Sequence, residues 1–189
     1  FLGFLIWKLL GLIRERDNWR LGFSGERAVG EQLNQLMTEG CRVFHDFPLA
    51  KNWNIDHIVV APTGVFAVET KTRRKGPASD TQQAHEVIYD GTSLQYPLFK
   101  DTRDLRRAST QAARLADFLN PHLNNYVTVQ PILTLPGWFV ISRALGEVIV
   151  VNPKMIDTAI LSPSGNSLAP ETIKDIARLL DEKCRDVEF

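Results

Sequence analysis

Residues 54–71 read NIDHIVVAPTGVFAVETK, and they contain the strongest structural signal in the chain. Two apolar runs rich in β-branched residues, 55–60 and 64–71, are joined by the segment Ala61-Pro62-Thr63-Gly64. Proline and glycine between two such runs favour a tight turn, because they readily adopt the backbone angles that turns require. The stretch therefore predicts a hairpin of two antiparallel strands.

The register of this hairpin brings three charged residues onto one face. If Ala61 pairs with Gly64, Asp56 lies opposite Glu69. Directly opposed residues share a face, and alternation along the strand puts Lys71 on the same face as Glu69. Two buried carboxylates repel each other unless a cation lies between them, and paired carboxylate oxygens suit Mg²⁺ or Mn²⁺. The pattern predicts either a metal site or, as the plainer alternative, a salt bridge from Lys71 to one carboxylate.

A helix is expected before the hairpin, from Ser24 as N-cap to about Glu39, with Gly40 ending it. Its apolar stripe consists of Val29, Leu33 and Leu36. Glu26 lies at the edge of that stripe rather than on the side that would face solvent. This position makes Glu26 a candidate for the same site.

The rest of the chain alternates strand and helix patterns. The sequence predicts a strand at 41–48, a hairpin at 86–96 with Asp90-Gly91 at its tip, a helix at 102–119, strands within 127–135, 138–142 and 147–151, and a helix at 170–184. This order indicates an α/β fold with a mixed central β-sheet flanked by helices. Trp138 and Phe139 lie in an apolar run and are interpreted as core residues.

The first thirteen residues, FLGFLIWKLLGLI, are apolar except for Lys8 and two glycines. A membrane span needs about 20 residues, so this segment alone is too short. It is interpreted as part of a truncated membrane anchor, or as a helix lying on a membrane, on a partner or on the domain itself. Arginines follow in a charged linker at 14–23, which favours the cytoplasmic face of a membrane. Residues 24–189 are expected to form one folded domain, in a cytoplasmic protein that this segment would tether.

Composition narrows the classes of function. Charged residues make up 23% of 189 residues and the formal net charge is +0, so any affinity for nucleic acid must come from a local patch. The only cysteines, Cys41 and Cys184, form no CxxC unit, which excludes a cysteine-based zinc finger. Both are expected to be reduced thiols.

The motif residues resemble a known nuclease superfamily. Asp56 followed by Glu69-Thr70-Lys71, after a helix that carries Glu26, resembles the PD-(D/E)XK nucleases. More narrowly, Gly25-Glu26, NIDH at 54–57 and GVFAVETK at 64–71 resemble the nuclease-related domain family, NERD. The resemblance covers residues 24–135. Ile55 departs from the proline that names the superfamily, and this costs little because the carboxylate at position 56 does the chemistry.

The resemblance implies a restriction-endonuclease-like core and metal-dependent hydrolysis of phosphodiester bonds, with DNA favoured over RNA as substrate. Mg²⁺ or Mn²⁺ would be held by Asp56, Glu69 and the backbone carbonyl of Thr70, with Glu26 as a further ligand. Lys71 would orient or help to deprotonate the attacking water. Gln111 matches a glutamine that often supports such sites.

Two basic clusters are candidates for phosphate binding. Arg103, Arg107, Gln111 and Arg114 recur on one face of the helix at 102–119. A second cluster follows the last acidic strand. The residues expected to bind nucleic acid are Arg73, Arg74, Lys75, Arg103, Arg107 and Arg114. The plainer alternative for the helix is a solvated face.

Two other functions remain open from the sequence. The domain could be a non-catalytic module with a nuclease-like fold that binds nucleic acid or regulates a partner. A metal-dependent enzyme acting on a smaller phosphate ester would share the acidic site but would not depend on the basic helix. His57 follows Asp56 and is expected to point to the opposite face, in a structural role.

Overall fold

The computed structural model describes residues 2–50, 53–80, 82–162 and 167–185. The helices are α1 (Leu2–Gln35), α2 (Arg103–Leu119), α3 (Ile156–Leu161) and α4 (Pro170–Arg185). The strands are β1 (Arg42–Ala50), β2 (Trp53–Ala61), β3 (Gly64–Thr70), β4 (Glu86–Tyr89), β5 (Leu94–Gln95), β6 (Lys100–Asp101), β7 (Val129–Thr134), β8 (Phe139–Ser142) and β9 (Ile149–Val151). Short 3₁₀ turns follow α1 and α2 and precede α3, at Leu36–Glu39, Asn120–His122 and Pro153–Met155.

Helix α1 begins far earlier than the sequence predicted. It runs without a break from Leu2, so the expected start at Ser24 is wrong, and residues 14–23 are helical rather than an irregular linker. The reason is that this charged segment contains good helix formers and no proline. The helix ends as expected, because Gly40 adopts the left-handed conformation with φ 82°.

The N-terminal part of α1 projects its apolar side chains into solvent. Phe4, Trp7, Leu9 and Leu12 are among the exposed residues. This placement does not support the alternative in which the segment packs onto the domain. Within the described residues, no helix combines the length and the apolar composition that a membrane crossing requires.

The main sheet has five strands in the order β1-β2-β3-β7-β9. Strands β1, β2 and β3 pair antiparallel, whereas β7 is parallel to β3 and β9 is parallel to β7. The predicted mixed sheet flanked by helices is therefore confirmed. The hairpin register is also as predicted, with Ala61 opposite Gly64 and Ile58 opposite Ala67.

A second sheet, in the order β6-β5-β4-β8, was not predicted. The expected hairpin with Asp90-Gly91 at its tip forms β4 and β5, and β8 adds to it in parallel. Trp138 is buried as expected, but Phe139 is exposed, because it lies in β8 and points away from this sheet's core.

The two faces of the main sheet bury different helices. On one face, alternate residues of β2 and β3 pack with Leu115 of α2 and Leu180 of α4. On the other face, the intervening residues pack with Val29 and Leu33 of α1 and with α3. Helices α1 and α2 thus approach the hairpin from opposite sides, and both reach the end of the sheet where Asp56 and Glu69 lie.

Candidate active site at the end of the hairpin

Asp56 and Glu69 lie where the regular pairing of β2 and β3 ends. The last regular pair is His57 with Val68, one step short of the predicted pair of acids. The Oδ2 atom of Asp56 instead accepts a hydrogen bond from the backbone N–H of Thr70, at 2.7 Å. This bond fixes the Asp56 carboxylate against the end of β3.

Glu69 is a carboxylate with no exposed surface. Its Oε1 atom lies 2.6 Å from Nζ of Lys71 and 2.7 Å from Nε of Arg107, in two ion pairs. In the described part of the chain, Oε2 has neither a hydrogen-bond partner nor an ion pair. A buried charge is costly unless it is paired, and Lys71 and Arg107 supply that pairing on Oε1, which leaves Oε2 for a further cation.

Asp56 is strongly perturbed in its protonation. Burial, followed by repulsion from Glu69, raises the pKa of Asp56 from 3.8 to about 7. The N–H of Thr70 and the charge of Lys71 oppose this shift, whereas Glu26 adds to it. Carboxylates pushed together in this way are typical of sites that await a cation or a proton.

Glu26 of α1 faces the same site from the other side of the sheet. Its pKa is raised by burial and then by the carboxylates of Asp46 and Glu69, and it is lowered by Lys71 and Arg107. The predicted residues Glu26, Asp56, Glu69 and Lys71 are therefore brought within electrostatic reach of one another.

Helix α1 approaches the segment after β3 closely at Gly25, because glycine has no side chain. A Cβ atom on Gly25 would lie 2.1 Å from Cγ2 of Thr72, in the segment that follows β3. No larger residue fits without moving Thr72, so Gly25 sets the distance between Glu26 and the acidic strand.

Asp46, opposite Asp56 on β1, was not identified from the sequence. It has φ 49°, and it is the only residue other than glycine with a left-handed backbone in the described ranges. Strand alternation breaks at this point: His45 contacts Gly30 of α1, whereas Phe47, two residues later, packs on the opposite side with α2. Strained backbone of this kind concentrates at functional sites, and only the three-dimensional structure reveals it.

His57 has the structural role that was predicted. It is buried, its Nδ1 atom lies 2.9 Å from Nδ1 of His45, and both rings pack against Gly30. Burial and the neighbouring His45 ring lower the pKa of His57 to about 4. The pair is therefore neutral at physiological pH and anchors α1 beside Glu26.

Gln111 of α2 supports the site through the backbone. Its side chain is fully buried, and Nε2 donates a hydrogen bond to the carbonyl of Asn54 at 3.2 Å. Asn54 lies two residues before Asp56, so Gln111 positions the strand that carries this acid. The supporting role that the family resemblance implied for Gln111 stays a prediction.

Arg107 and Arg114 face the site from the basic helix, but each has a partner in addition to solvent. Arg107 is 48% exposed even though it ion-pairs with Glu69. The guanidinium of Arg114 lies 3.8 Å from the centre of the Trp53 ring. The direct contact between Arg107 and Glu69 could not be read from the sequence, where the two residues belong to separate elements.

The other predicted phosphate contacts differ in their availability. Arg103, Arg74 and Lys75 are exposed, with distant ion pairs of 3.6 Å from Arg103 to Asp101 and 3.8 Å from Arg74 to Asp17. Arg73 is enclosed instead: Nη2 lies 2.8 Å from Asp101 and also contacts Asp104. Its charge is therefore already neutralised, which favours a structural role for Arg73.

The described residues contain no group of three histidine, cysteine, aspartate or glutamate side chains that is already arranged around a metal position. The donor set nevertheless suits a hard divalent ion, since Asp56 and the open Oε2 of Glu69 are oxygen ligands in an acidic environment. Lys71 and Arg107 occupy the cation positions on Oε1. The oxygen ligands present thus suit a hard divalent ion such as Mg²⁺ or Mn²⁺.

Comparison with known proteins agrees with this geometry. The family model of the nuclease-related domain matches residues 21–136, which include Glu26, Asp56, Glu69, Lys71 and Gln111. No curated protein and no solved structure matches the chain. The match supports a nuclease-related, hydrolase-type function on nucleic acid with a general requirement for a divalent metal. Because it spans more than half of the sequence, the chain belongs to the nuclease-related domain (NERD) family.

Proposed function

We propose that this protein is a metal-dependent nuclease that hydrolyses phosphodiester bonds of nucleic acid, with DNA as the favoured substrate. The observation that carries this proposal is the state of Glu69. It is fully buried, it is paired with two cations on Oε1, and it has an open Oε2 beside the perturbed carboxylate of Asp56.

Asp56, Glu69 and the carbonyl of Thr70 would hold the divalent ion, and Glu26 would contribute directly or through water. The bound ion would polarise the scissile phosphate and lower the pKa of a water molecule. Asp56 is suited to this role because a cation would offset the repulsion that now raises its pKa.

Lys71 and Arg107 supply positive charge at the reacting phosphate. In hydrolysis, a water oxygen forms a bond to phosphorus and one P–O ester bond breaks. The attacking water gives up a proton to solvent, and the departing ester oxygen takes up a proton from solvent and leaves as a hydroxyl. Lys71 lies beside Glu69, where its ammonium group can hold the attacking water and stabilise the negative charge that develops on the phosphate. Arg107 is half-exposed and long enough to exchange Glu69 for a phosphate oxygen.

The test is cleavage of single- and double-stranded DNA and RNA with Mg²⁺ or Mn²⁺, comparing wild type with Glu69→Gln and Lys71→Ala. Glu171→Gln and Lys154→Ala, at exposed positions, are the matched controls. We expect cleavage that requires the metal, is lost in both site variants and is retained in both controls. Binding of the polymers without cleavage by wild type would favour the non-catalytic module.

Substrate class is tested by Arg107→Ala and Arg114→Ala. Both variants are expected to weaken polynucleotide binding, because each removes one phosphate-binding charge. If both bind and cleave like wild type, a smaller phosphate ester becomes the better candidate.

We also propose that residues 1–13 associate with a membrane on its cytoplasmic face. The support is the exposure of Trp7, Leu9 and Leu12, with Arg14 and Arg16 directly after the apolar segment. Flotation with vesicles that contain anionic lipid tests this proposal. Co-flotation of the wild type and its loss in Leu9→Asp would support it, whereas no co-flotation of the wild type would contradict it.

A further inference from the structure

A small cleft borders the candidate active site on its basic side. Its volume is about 250 Å³, and it is lined by Trp53, Arg106, Arg107 and Thr110. Pockets for drug-sized ligands have volumes of roughly 300–1,000 Å³, so this cleft suits one planar ring system. Arg107 belongs both to this cleft and to the candidate active site, because its Nε atom lies 2.7 Å from Oε1 of Glu69.

Trp53 gives the cleft an aromatic wall that is held in place. The ring is half-buried at the start of β2, and Arg114, which does not line the cleft, lies 3.8 Å from the ring centre. A cation over an aromatic face at this distance stabilises the ring position.

The remaining lining groups suit a phosphate and the polar edge of a base. Arg106 is exposed and makes no ion pair within the described ranges, and the hydroxyl of Thr110 can donate or accept. An aromatic face beside an arginine that makes no ion pair, as Arg106 makes none among the described residues, is the chemistry with which proteins bind unpaired nucleotides. In a duplex, the faces of the bases are covered by their neighbours, so only an unpaired base can lie on Trp53.

We propose that this cleft binds an unpaired nucleobase next to the scissile phosphate, with the base stacked on Trp53 and its phosphate on Arg106. The site thereby prefers a single strand or a frayed end over an intact duplex. This inference rests on the proposed nuclease function and names its substrate class.

The test measures the affinity of the full chain for a labelled 12-nucleotide single strand and for the matching duplex, by fluorescence anisotropy in EDTA. The variants are Trp53→Leu, which keeps an apolar side chain without an aromatic face, and Trp53→Phe, which keeps the face. Since stacking on one aromatic residue changes affinity by roughly 5- to 150-fold, we expect a single-strand loss of that size in Trp53→Leu. Duplex affinity should change by less than about twofold, and Trp53→Phe should recover most of the loss.

Thermal unfolding of each variant shows whether the fold is kept, and Arg106→Ala provides a second probe at an exposed position. Arg106→Ala is expected to weaken single-strand binding and to reduce its salt dependence. Equal effects of Trp53→Leu on both polymers, or no effect on either, would overturn the inference while metal-dependent cleavage by wild type still supported the nuclease. A preference for single strands that depends on Trp53, without any cleavage, would keep the inference and reject catalysis. Failure of wild type to bind either polymer would reject both.

Discussion

Replacing Asp56 by asparagine is expected to stabilise the metal-free protein at alkaline pH, although it should abolish activity. In the folded protein, burial and the charge of Glu69 raise the pKa of Asp56 from 3.8 to about 7. Above pH 7 the ionised carboxylate is therefore a source of instability. Asparagine is neutral and of the same shape, and its side-chain oxygen can still accept the hydrogen bond from the N–H of Thr70.

The size of the effect follows from the shift. A difference of about three pKa units corresponds to about 4 kcal/mol at 1.36 kcal/mol per unit. The sign follows from proton binding: between pH 3.8 and about 7 the folded state retains a proton that the unfolded chain has lost, so wild-type stability falls as the pH rises through this window. Asp56→Asn removes that fall, and we expect it to be more stable than wild type by about 2–4 kcal/mol at pH 8.

The assay is urea unfolding followed by circular dichroism in EDTA, at intervals from pH 5 to pH 8.5. Asp117→Asn, at an exposed carboxylate of α2, is the control and should follow wild type throughout. Addition of Mn²⁺ at pH 8 should stabilise wild type and leave Asp56→Asn nearly unchanged, since only the carboxylate binds the ion well. If the variant is less stable than wild type at pH 8, or if the difference does not change with pH, ionised Asp56 does not destabilise the folded protein.

Three further substitutions test the packing around the site. Gly25→Ala should lower the free energy of unfolding by about 1–3 kcal/mol, because the new Cβ would lie 2.1 Å from Cγ2 of Thr72. Gly22→Ala on the same helix has space for the methyl group and should raise the free energy of unfolding by about 0.5–1 kcal/mol. Denaturant unfolding of both variants tests this difference, and equal stabilisation would contradict the close approach of α1 to Thr72. Gln111→Ala should lower the free energy of unfolding by about 1–3 kcal/mol and lower kcat, because it leaves the carbonyl of Asn54 in β2 without its donor. An unchanged kcat in a folded variant would argue against a positioning role for Gln111. Arg73→Ala should lower the Tm by several degrees, because this arginine is paired with the carboxylates of Asp101 and Asp104. Polynucleotide affinity should stay within about twofold of wild type, since the charge of Arg73 is already neutralised. A large loss of affinity without a loss of stability would restore Arg73 as a phosphate contact.

The hairpin follows from local sequence alone. Its register as far as His57 with Val68 depends on neighbours along the chain and on a short turn, so local rules place Asp56 and Glu69 at the end of the two strands. Local sequence also predicted the bounds of α2 to within one residue. It likewise predicted that Val29 and Leu33 are buried.

The predicted start of α1 at Ser24 was wrong because it relied on local signals alone. Local signals can favour an N-cap, but they do not stop a helix when the preceding residues are also good helix formers. Nothing in the pattern of residues 14–23 distinguishes a charged linker from a charged, solvent-exposed turn of the same helix.

The contacts between side chains of different elements depend on the three-dimensional packing. The pairing of Arg107 with Glu69, the stacking of Arg114 on Trp53 and the enclosure of Arg73 all join residues far apart in the chain. Periodicity assigns Arg107 and Arg114 to one face of α2, and it leaves open whether that face meets solvent, a carboxylate or an aromatic ring. That outcome depends on how α2 packs on the sheet, because packing brings the charges of separate elements within a few ångströms and sets the burial that shifts the pKa of Asp56.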